Sequence, residues 1–308
     1  MQLKQALTSA VQQLESADIG SPRLNGETLL MFVLGVNRAY IYAHPERELT
    51  SEEHARYDEV IAQRSHGVPS QYITGHQEFW GLDLVVSPSV LIPRPETEHL
   101  VETVLDLARG RSALRIVDVG TGSGCIALAL AHELKDAEVY GVDLSADALE
   151  IARANAARLQ LEARVRFLQS DVLEVFADEH NLDFVVSNPP YVALDERDKV
   201  QRSVRDFEPH MAVFGGDKGL DVLNPLIEQS HIALKPGGYL AMEIGYSMRD
   251  AVLKLLSSTM WEEPKSFPDL QGIPRVIVAK KKEAATSSSP PSASLSRAGT
   301  PRRSRSPK

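Results

Sequence analysis

The stretch Asp118-Val119-Gly120-Thr121-Gly122-Ser123-Gly124 decides the fold class, because it joins an apolar segment to a second apolar segment of helical length. Residues 114–119 before it are predicted to form a strand, and residues 125–134 after it a helix. Glycines at such a junction let the backbone pass close to a ligand and turn into the helix, although such a turn can also be purely structural. The spacing is Gly-x-Gly-x-Gly, which differs from the Gly-x-Gly-x-x-Gly of dinucleotide-binding proteins.

The sequence around this turn alternates between strand-like and helix-like segments from about residue 95 onward. The predicted strands are 114–119, 138–142, 165–168, 184–187, 239–244 and 275–279. Helical segments lie between several of them, for example 146–159 and 220–234. The alternation predicts an α/β fold with a doubly wound, mostly parallel, Rossmann-like sheet, whose ligands bind at the carboxyl ends of the strands.

The segments upstream have a different pattern. Residues 1–75 carry leucines at helical spacing, and Thr50 with Glu53 forms the signature of a capping box, so we predict a small helical domain. Residues 76–92 are predicted to form a linking β-hairpin. The predicted α/β domain then spans 93–280, and the Ser-, Pro- and Arg-rich tail of 281–308 is predicted to be disordered.

Composition narrows the class of protein. The chain has 308 residues, of which 43% are hydrophobic and 24% charged, as is typical of soluble globular proteins. No apolar run approaches the roughly 20 residues of a membrane span, and the first residues do not resemble a signal or transit peptide. The single cysteine, Cys125, excludes an internal disulfide framework and a thiolate-clustered metal site. We expect a monomeric cytoplasmic protein without a metal.

The charge is unevenly distributed. The net charge is −9, yet residues 280–308 hold eight Lys or Arg and one Glu, so this tail of +7 leaves −16 on residues 1–279. Stable nucleic-acid binding is not expected of such an acidic body, because affinity for phosphates depends on Lys and Arg. A basic protein partner would suit it better.

Two carboxylates follow the strands next to the glycine turn. Asp143 ends the predicted strand about twenty residues further on, where a carboxylate can accept the hydroxyls of a ribose, although it could also cap the helix that begins near Ser145. Asp171 follows the next strand and would lie near an adenine, although it could also be a solvated loop acid or a helix cap. The glycine turn and Asp143 together indicate a nucleoside-containing cofactor, and the Gly-x-Gly-x-Gly spacing favours S-adenosylmethionine over NAD.

Asn188-Pro189-Pro190-Tyr191 follows the predicted strand 184–187 and is the candidate reacting segment. Two prolines between an amide and an aromatic ring make a stiff turn, and both prolines keep their carbonyl acceptors. Such a turn can hold a planar amino or amide group in line with a methyl donor while oxygens accept its hydrogens. Asn188 and the Pro189 carbonyl are the predicted acceptors, and Tyr191 is predicted to pack on the planar group. A rigid structural loop is the alternative.

These segments together resemble the release factor glutamine methyltransferases, also called HemK-type enzymes, over about residues 20–280. Besides the glycine turn and the Asn188 segment, the matching segments are 69–75, 92–98, 207–209, 214–217 and 272–275. Arg94-Pro95-Glu96-Thr97-Glu98 and Phe207-Glu208-Pro209 are the more particular to this family, since Asn-Pro-Pro-Tyr also occurs in adenine-amino methyltransferases.

The resemblance implies a class I methyltransferase domain joined by a hairpin to a helical domain that engages the release factor. The implied substrate is the glutamine of the Gly-Gly-Gln motif in class-1 peptide chain release factors. Val172 falls where some members carry a tryptophan beside the adenine, so an aliphatic wall replaces a stacked ring. The predicted cofactor residues are therefore Gly120, Thr121, Gly122, Ser123, Gly124, Asp143, Asp171, Val172 and Asn188, and the predicted catalytic residues are Asn188, Pro189, Pro190 and Tyr191.

Some alternatives stay open at this point. Arg94 and Glu96 could form a capping arrangement, and Glu208 could be a buried structural acid, so none of the three is assigned to catalysis. An adenine-amino methyltransferase acting on DNA or RNA would share the cofactor turn and the Asn188 segment. It would need a basic groove or a base-flipping domain, which the acidic body disfavours. A relative that binds ligand without catalysis is the third hypothesis.

Overall fold

The first part of the chain folds into five helices with their own core. The structure is a computed structural model and describes residues 1–257 and 259–283. The helices are α1 Leu3–Ser16, α2 Pro22–Leu34, α3 Arg38–Ala43, α4 Ser51–Ser65 and α5 Ser70–Thr74. The predicted capping box begins α4: the Thr50 hydroxyl accepts the Glu53 N–H at 3.1 Å, and the Glu53 carboxylate accepts the Thr50 N–H at 3.0 Å. The leucines at helical spacing are buried in this core.

A two-stranded antiparallel hairpin follows, formed by β1 His76–Phe79 and β2 Leu82–Val85. Its two turn residues, Trp80 and Gly81, both have positive φ, 55° and 70°, as a tight hairpin turn requires. Phe79 and Leu84 are buried in the core of the domain that follows, so the hairpin is packed onto that domain.

The remainder is built on a seven-stranded sheet of order β5-β4-β3-β6-β7-β9-β8. Its strands are β3 Arg115–Val119, β4 Glu138–Asp143, β5 Val165–Gln169, β6 Leu182–Ser187, β7 Leu234–Glu243, β8 Lys265–Pro268 and β9 Pro274–Lys280. The first five of these are parallel to one another, while β9 is antiparallel to both β7 and β8. The predicted fold class, a doubly wound sheet with an N-terminal helical part and a hairpin, is confirmed.

Helices cover both faces of the sheet, because neighbouring residues of a strand point to opposite faces. Ile116 belongs to one apolar core and Val117 to the other. The first core contains residues of α6 Glu98–Ala108, α7 Cys125–Glu133 and α8 Ala146–Arg158. The second contains residues of α11 Leu223–Ala233 and α12 Arg249–Leu256. Between β6 and β7 lie the short helices α9 Arg202–Phe207 and α10 His210–Val213.

The C-terminal part differs most from expectation. The short edge strand β8 was not predicted, because its four residues are only partly buried and end in Pro268, which gives no apolar alternation. Strand β7 begins at Leu234 rather than 239, across Gly237 and Gly238, which are typical strand breakers.

Part of the predicted tail can be placed. Lys281 forms a β-bridge with Trp261, so the chain is still paired at the first predicted tail residue. The rest of the tail, residues 284–308, lies outside the described residues. Of the helices that the structure describes, none combines the length and the hydropathy that crossing a bilayer requires.

Candidate active site

Two of the predicted functional segments begin side by side at the centre of the sheet. Strands β3 and β6 are parallel neighbours, and the last residues of their ladder, Val119 and Ser187, are paired. The Ser187 hydroxyl also donates to the Val119 carbonyl at 2.8 Å. Gly120 directly follows Val119, and Asn188 directly follows Ser187. They therefore lie where the strand order reverses, which is the ligand-binding position of doubly wound folds.

A cleft of about 320 Å³ opens at this edge, a size that suits a nucleoside-containing ligand. The predicted site residues that line it are Gly120, Gly122, Asp143, Asp171, Val172, Asn188, Pro189 and Pro190. Other predicted residues, namely Thr121, Ser123, Gly124 and Tyr191, are not among the lining residues of this cleft.

The glycines of the turn serve two different purposes. Gly120 has a φ of 69°, and a methyl group in its place would meet no atom within 4 Å, so the space above it is open to a ligand. Gly124 also has a positive φ, 83°, but a methyl group there would lie 3.1 Å from Leu128 and 3.3 Å from Ala152. Gly124 thus allows α7 to pack closely on its neighbours.

A buried carboxylate of β3, Asp118, accepts hydrogen bonds from the glycine turn and from the start of α7. Asp118 accepts the Thr121 hydroxyl at 2.6 Å and the Ala127 N–H at 3.2 Å through the same oxygen, Oδ2. Burial raises the pKa of the Asp118 carboxyl to about 7. Thr121 therefore acts inside the turn, where it ties the loop to the end of β3.

Asp143 lies opposite the turn and is held by main-chain donors. Its two oxygens accept the N–H groups of Gly122 and Ser145, each at 2.9 Å. Ser145, rather than Asp143, caps α8, because the Ser145 hydroxyl accepts the Ala148 N–H at 3.2 Å. Burial raises the pKa of the Asp143 carboxyl. Since each oxygen accepts one hydrogen bond here, both retain capacity for the hydroxyls of a ribose.

On the other side of the cleft, the segment from Asn188 is supported by a glycine-rich loop. Val192 N–H donates to the Val213 carbonyl at 3.1 Å, and Gly215 N–H donates to the Val192 carbonyl at 2.9 Å. A methyl group on Gly215 would overlap the Pro190 carbonyl oxygen, and one on Gly219 would overlap the Tyr191 carbonyl oxygen. The loop can therefore lie directly against this backbone only because it carries glycines at these positions.

Sequence reasoning missed two buried polar residues of this half. Glu243, the last residue of β7, accepts the Thr97 hydroxyl at 2.7 Å and the Tyr191 hydroxyl at 3.3 Å. Thr97 in turn accepts the Asn188 side-chain Nδ2–H at 3.1 Å. Burial raises the pKa of the Glu243 carboxyl. The available signal was a carboxylate ending an apolar strand, the same signal that singled out Asp143.

The residues left out of the predicted catalytic set form a separate contact. Arg94 and the buried Glu208 are ion-paired at 2.5 Å, and Glu208 also accepts the Ile92 N–H at 3.1 Å. This pair joins the chain before α6 to the chain before α10. Glu96 is exposed in the short 3-10 turn Pro95–Thr97.

Asn155 is another buried polar residue that sequence reasoning did not single out. Its amide exchanges two hydrogen bonds with the Val85 backbone, at 2.7 and 3.0 Å, and donates to the Ser123 carbonyl at 2.9 Å. It therefore links the hairpin to the glycine turn.

The fold and the cleft together define a methyltransferase of the doubly wound α/β class. The family model for the methyltransferase small domain matches residues 96–207, and the model for the PrmC N-terminal domain matches residues 5–75. A solved methyltransferase from Pyrococcus furiosus shares this fold, with a TM-score of 0.50, 17% identity, and coverage of 73% of this chain and 99% of that chain.

Curated relatives define the family more closely. The release factor glutamine methyltransferase of Koribacter versatilis is 57% identical over 281 residues, which cover 91% of this chain and 99% of that protein. The enzyme of the same description from Nitratidesulfovibrio vulgaris is 40% identical over 91% of this chain and 95% of its own length. The chain belongs to the release factor glutamine methyltransferase family. The resemblance found in the sequence is confirmed, and the similarities do not support the adenine-amino alternative.

Proposed function

We propose that this enzyme transfers a methyl group from S-adenosylmethionine to the side-chain amide nitrogen of the glutamine in the Gly-Gly-Gln motif of class-1 peptide chain release factors. The observation that carries the proposal is that one cleft is lined both by Gly120, Gly122 and Asp143 and by Asn188, Pro189 and Pro190. Two relatives that match 91% of the chain bear the description release factor glutamine methyltransferase.

The cofactor half of the cleft fits S-adenosylmethionine. When bound, this cofactor supplies a methyl group on a sulfonium centre. The Asp143 oxygens are suited to accept the ribose hydroxyls, and the open space over Gly120 and Gly122 lets the backbone approach the ligand. Val172, which is buried and lines the cleft, is assigned the aliphatic wall beside the adenine, with Asp171 next to it.

The acceptor half holds the glutamine amide. The Asn188 Oδ1 atom and the Pro189 carbonyl are the proposed acceptors of the two amide hydrogens, which leaves the nitrogen facing the methyl donor. Positive charge develops on that nitrogen as it is alkylated, so these acceptors stabilise the transition state more than the ground state. A strong general base is not needed, because an N-alkylated amide cation is very acidic. The packing of the Tyr191 ring on the amide stays a prediction.

A second cavity supports a folded protein as the substrate. It measures about 1060 Å³ and lies between the helical part and the α/β part, with Arg64 and Gln71 on one side and Arg94 and Arg202 on the other. A folded partner could contact both parts at once, so we assign the helical part to recognition of the release factor.

One experiment tests the proposal. The protein is incubated with labelled S-adenosylmethionine, an intact release factor and duplex DNA, and mass spectrometry locates the methyl group. We expect it on the Gly-Gly-Gln glutamine. A methyl group on adenine, or on no component of the mixture, would contradict the proposal.

A further inference from the structure

A path of hydrogen bonds runs from the reacting segment into the core of the protein. Asn188 Nδ2–H donates to the Thr97 hydroxyl oxygen at 3.1 Å, and the Thr97 hydroxyl donates to Glu243 Oε2 at 2.7 Å. The other Glu243 oxygen accepts the Tyr191 hydroxyl at 3.3 Å. The buried acid is therefore connected to both ends of the segment Asn188–Tyr191.

The chemistry of Glu243 gives this path a direction. The Thr97 hydroxyl has one hydrogen, and a carboxylate oxygen can only accept it. Towards Asn188, Thr97 can then act only as an acceptor, so the Asn188 amide must present its NH₂ group to Thr97. The same direction holds for a neutral Glu243 with its proton on Oε1, whereas a proton on Oε2 would donate to Thr97 and reverse it, so the inference applies to the carboxylate and to the acid protonated on Oε1.

Two further observations show that the Thr97 hydroxyl is committed to this path. Thr97 lies where the 3-10 turn Pro95–Thr97 leads into α6; it has helical backbone angles and its side chain makes no capping hydrogen bond, so no main-chain N–H of α6 competes for its oxygen. Thr97 and Glu243 are each only 2% exposed. Water competes little for the hydrogen bond between them, which strengthens its orienting effect.

We infer that Thr97 and Glu243 are positioning residues that hold the Asn188 amide with its oxygen, rather than its NH₂ group, towards the substrate amide. The inference rests on the proposed function. An Asn188 amide turned by 180° would set a donor against the NH₂ hydrogens of the glutamine, and the acceptor that the transition state needs would be lost. The orientation is set outside the cleft, so a substitution that contacts neither the substrate nor the cofactor should slow the reaction.

The test compares Thr97→Val, which removes the hydroxyl at nearly constant shape, with Thr97→Ser, which keeps it. We expect Thr97→Val to lower kcat about 10- to 100-fold, in the range of effects from misplaced catalytic groups. The KM for the release factor and the Kd for S-adenosylmethionine should stay within about twofold of the wild-type values, because Thr97 contacts neither ligand and their ground-state binding is unaffected. Thr97→Ser should retain most of the turnover. Wild-type kcat in Thr97→Val would overturn the inference.

A double variant separates positioning from a merely structural role. Thr97→Val combined with Asn188→Ala should be no slower than Asn188→Ala alone, because Thr97 acts only through Asn188. Effects that multiply would show an independent role and contradict the inference. If Thr97→Val does not fold, as judged by its Tm and its cofactor binding, Thr97→Ala repeats the test without a branched apolar group beside Glu243.

Failure of the positioning role can be distinguished from failure of the proposed function. If Asn188→Ala loses turnover while Thr97→Val and Thr97→Ala keep it, the positioning role is wrong and the proposed function stands. If Asn188→Ala itself keeps wild-type turnover, the proposed role of the whole segment is wrong.

Discussion

The two halves of the cleft are built in different ways. The cofactor half comes from residues close in sequence: Gly122 and Asp143, which are hydrogen-bonded, are 21 positions apart. In the acceptor half, Asn188 and Thr97 are 91 positions apart, and Thr97 and Glu243 are 146 apart. The first half is thus a product of two successive strand-to-helix turns, and the second of three distant segments.

The hydrogen bonds of the two halves differ as well. Asp143 is oriented by main-chain N–H groups, which the turn supplies whatever the side chains are. Asn188 is oriented by a side chain, which another buried side chain orients in turn. The acceptor half should therefore be the more sensitive to substitution of residues outside the cleft.

The largest effect is expected from Asn188→Ala. Losing one polar group that acts in the transition state costs on the order of 100-fold or more at comparable sites. Both kcat and kcat/KM should fall together, while S-adenosylmethionine still binds. Mass spectrometry of the Gly-Gly-Gln peptide from an intact release factor measures the turnover, and near-wild-type methylation would remove Asn188 from the mechanism.

Asn188→Asp sharpens the same comparison. It keeps an acceptor oxygen but loses the NH₂ group that donates to Thr97 and adds a charge. If an acceptor in the cleft is sufficient, this variant should retain more activity than Asn188→Ala in the same assay. Equal or lower activity would show that the donor to Thr97 matters as much as the acceptor.

Asp143→Ala should affect binding rather than turnover. Losing charge-assisted hydrogen bonds to the ribose should weaken S-adenosylmethionine binding by roughly 1.5–3 kcal/mol. Isothermal calorimetry measures the change, and Asp171→Ala, at an exposed position of the same cleft, is the matched control with a smaller expected effect. Unchanged affinity in a folded Asp143→Ala protein would rule out the ribose assignment.

Asp118 should make the free energy of unfolding of the protein depend on pH. Burial raises its pKa to about 7, whereas an unfolded aspartate titrates at about 3.9. Its contribution to the free energy of unfolding is then fully present below about pH 4 and is lost as the pH rises through about 7. Asp118→Asn cannot titrate. Denaturant unfolding of both proteins without cofactor should therefore shift in favour of the variant between about pH 4 and 7, and parallel curves would contradict the raised pKa.

The smallest effect is expected from deleting residues 284–308. Both halves of the cleft use residues no later than Glu243, and the deleted segment is rich in Ser, Pro and Arg, residue types that contribute little to an apolar core. Methylation and Tm should stay at wild-type values, as measured by the peptide assay and by thermal unfolding. A decrease of several degrees in Tm would show that the segment docks on the rest of the chain.

The sequence by itself predicted the fold class, which the structure confirms, and singled out Gly120, Gly122 and Asp143, which line the proposed cofactor half of the cleft. Strand alternation, the glycine turn and Asp143 are local signals, because a strand, its turn and the following helix are consecutive in the chain. Asn188 could be recognised for the same reason, since it directly follows an apolar strand.

Only the tertiary structure decided how Asn188 is oriented and what supports it. In the sequence, Thr97 lies in a segment where only Arg94 and Glu96 suggested a role, and Glu243 lies near the end of one more predicted strand. Asn155 resembles a polar residue on a helix surface, yet it is fully buried. Their roles depend on partners between 32 and 146 positions away. Sheet order and helix packing bring such partners together, and a local pattern carries no information about either.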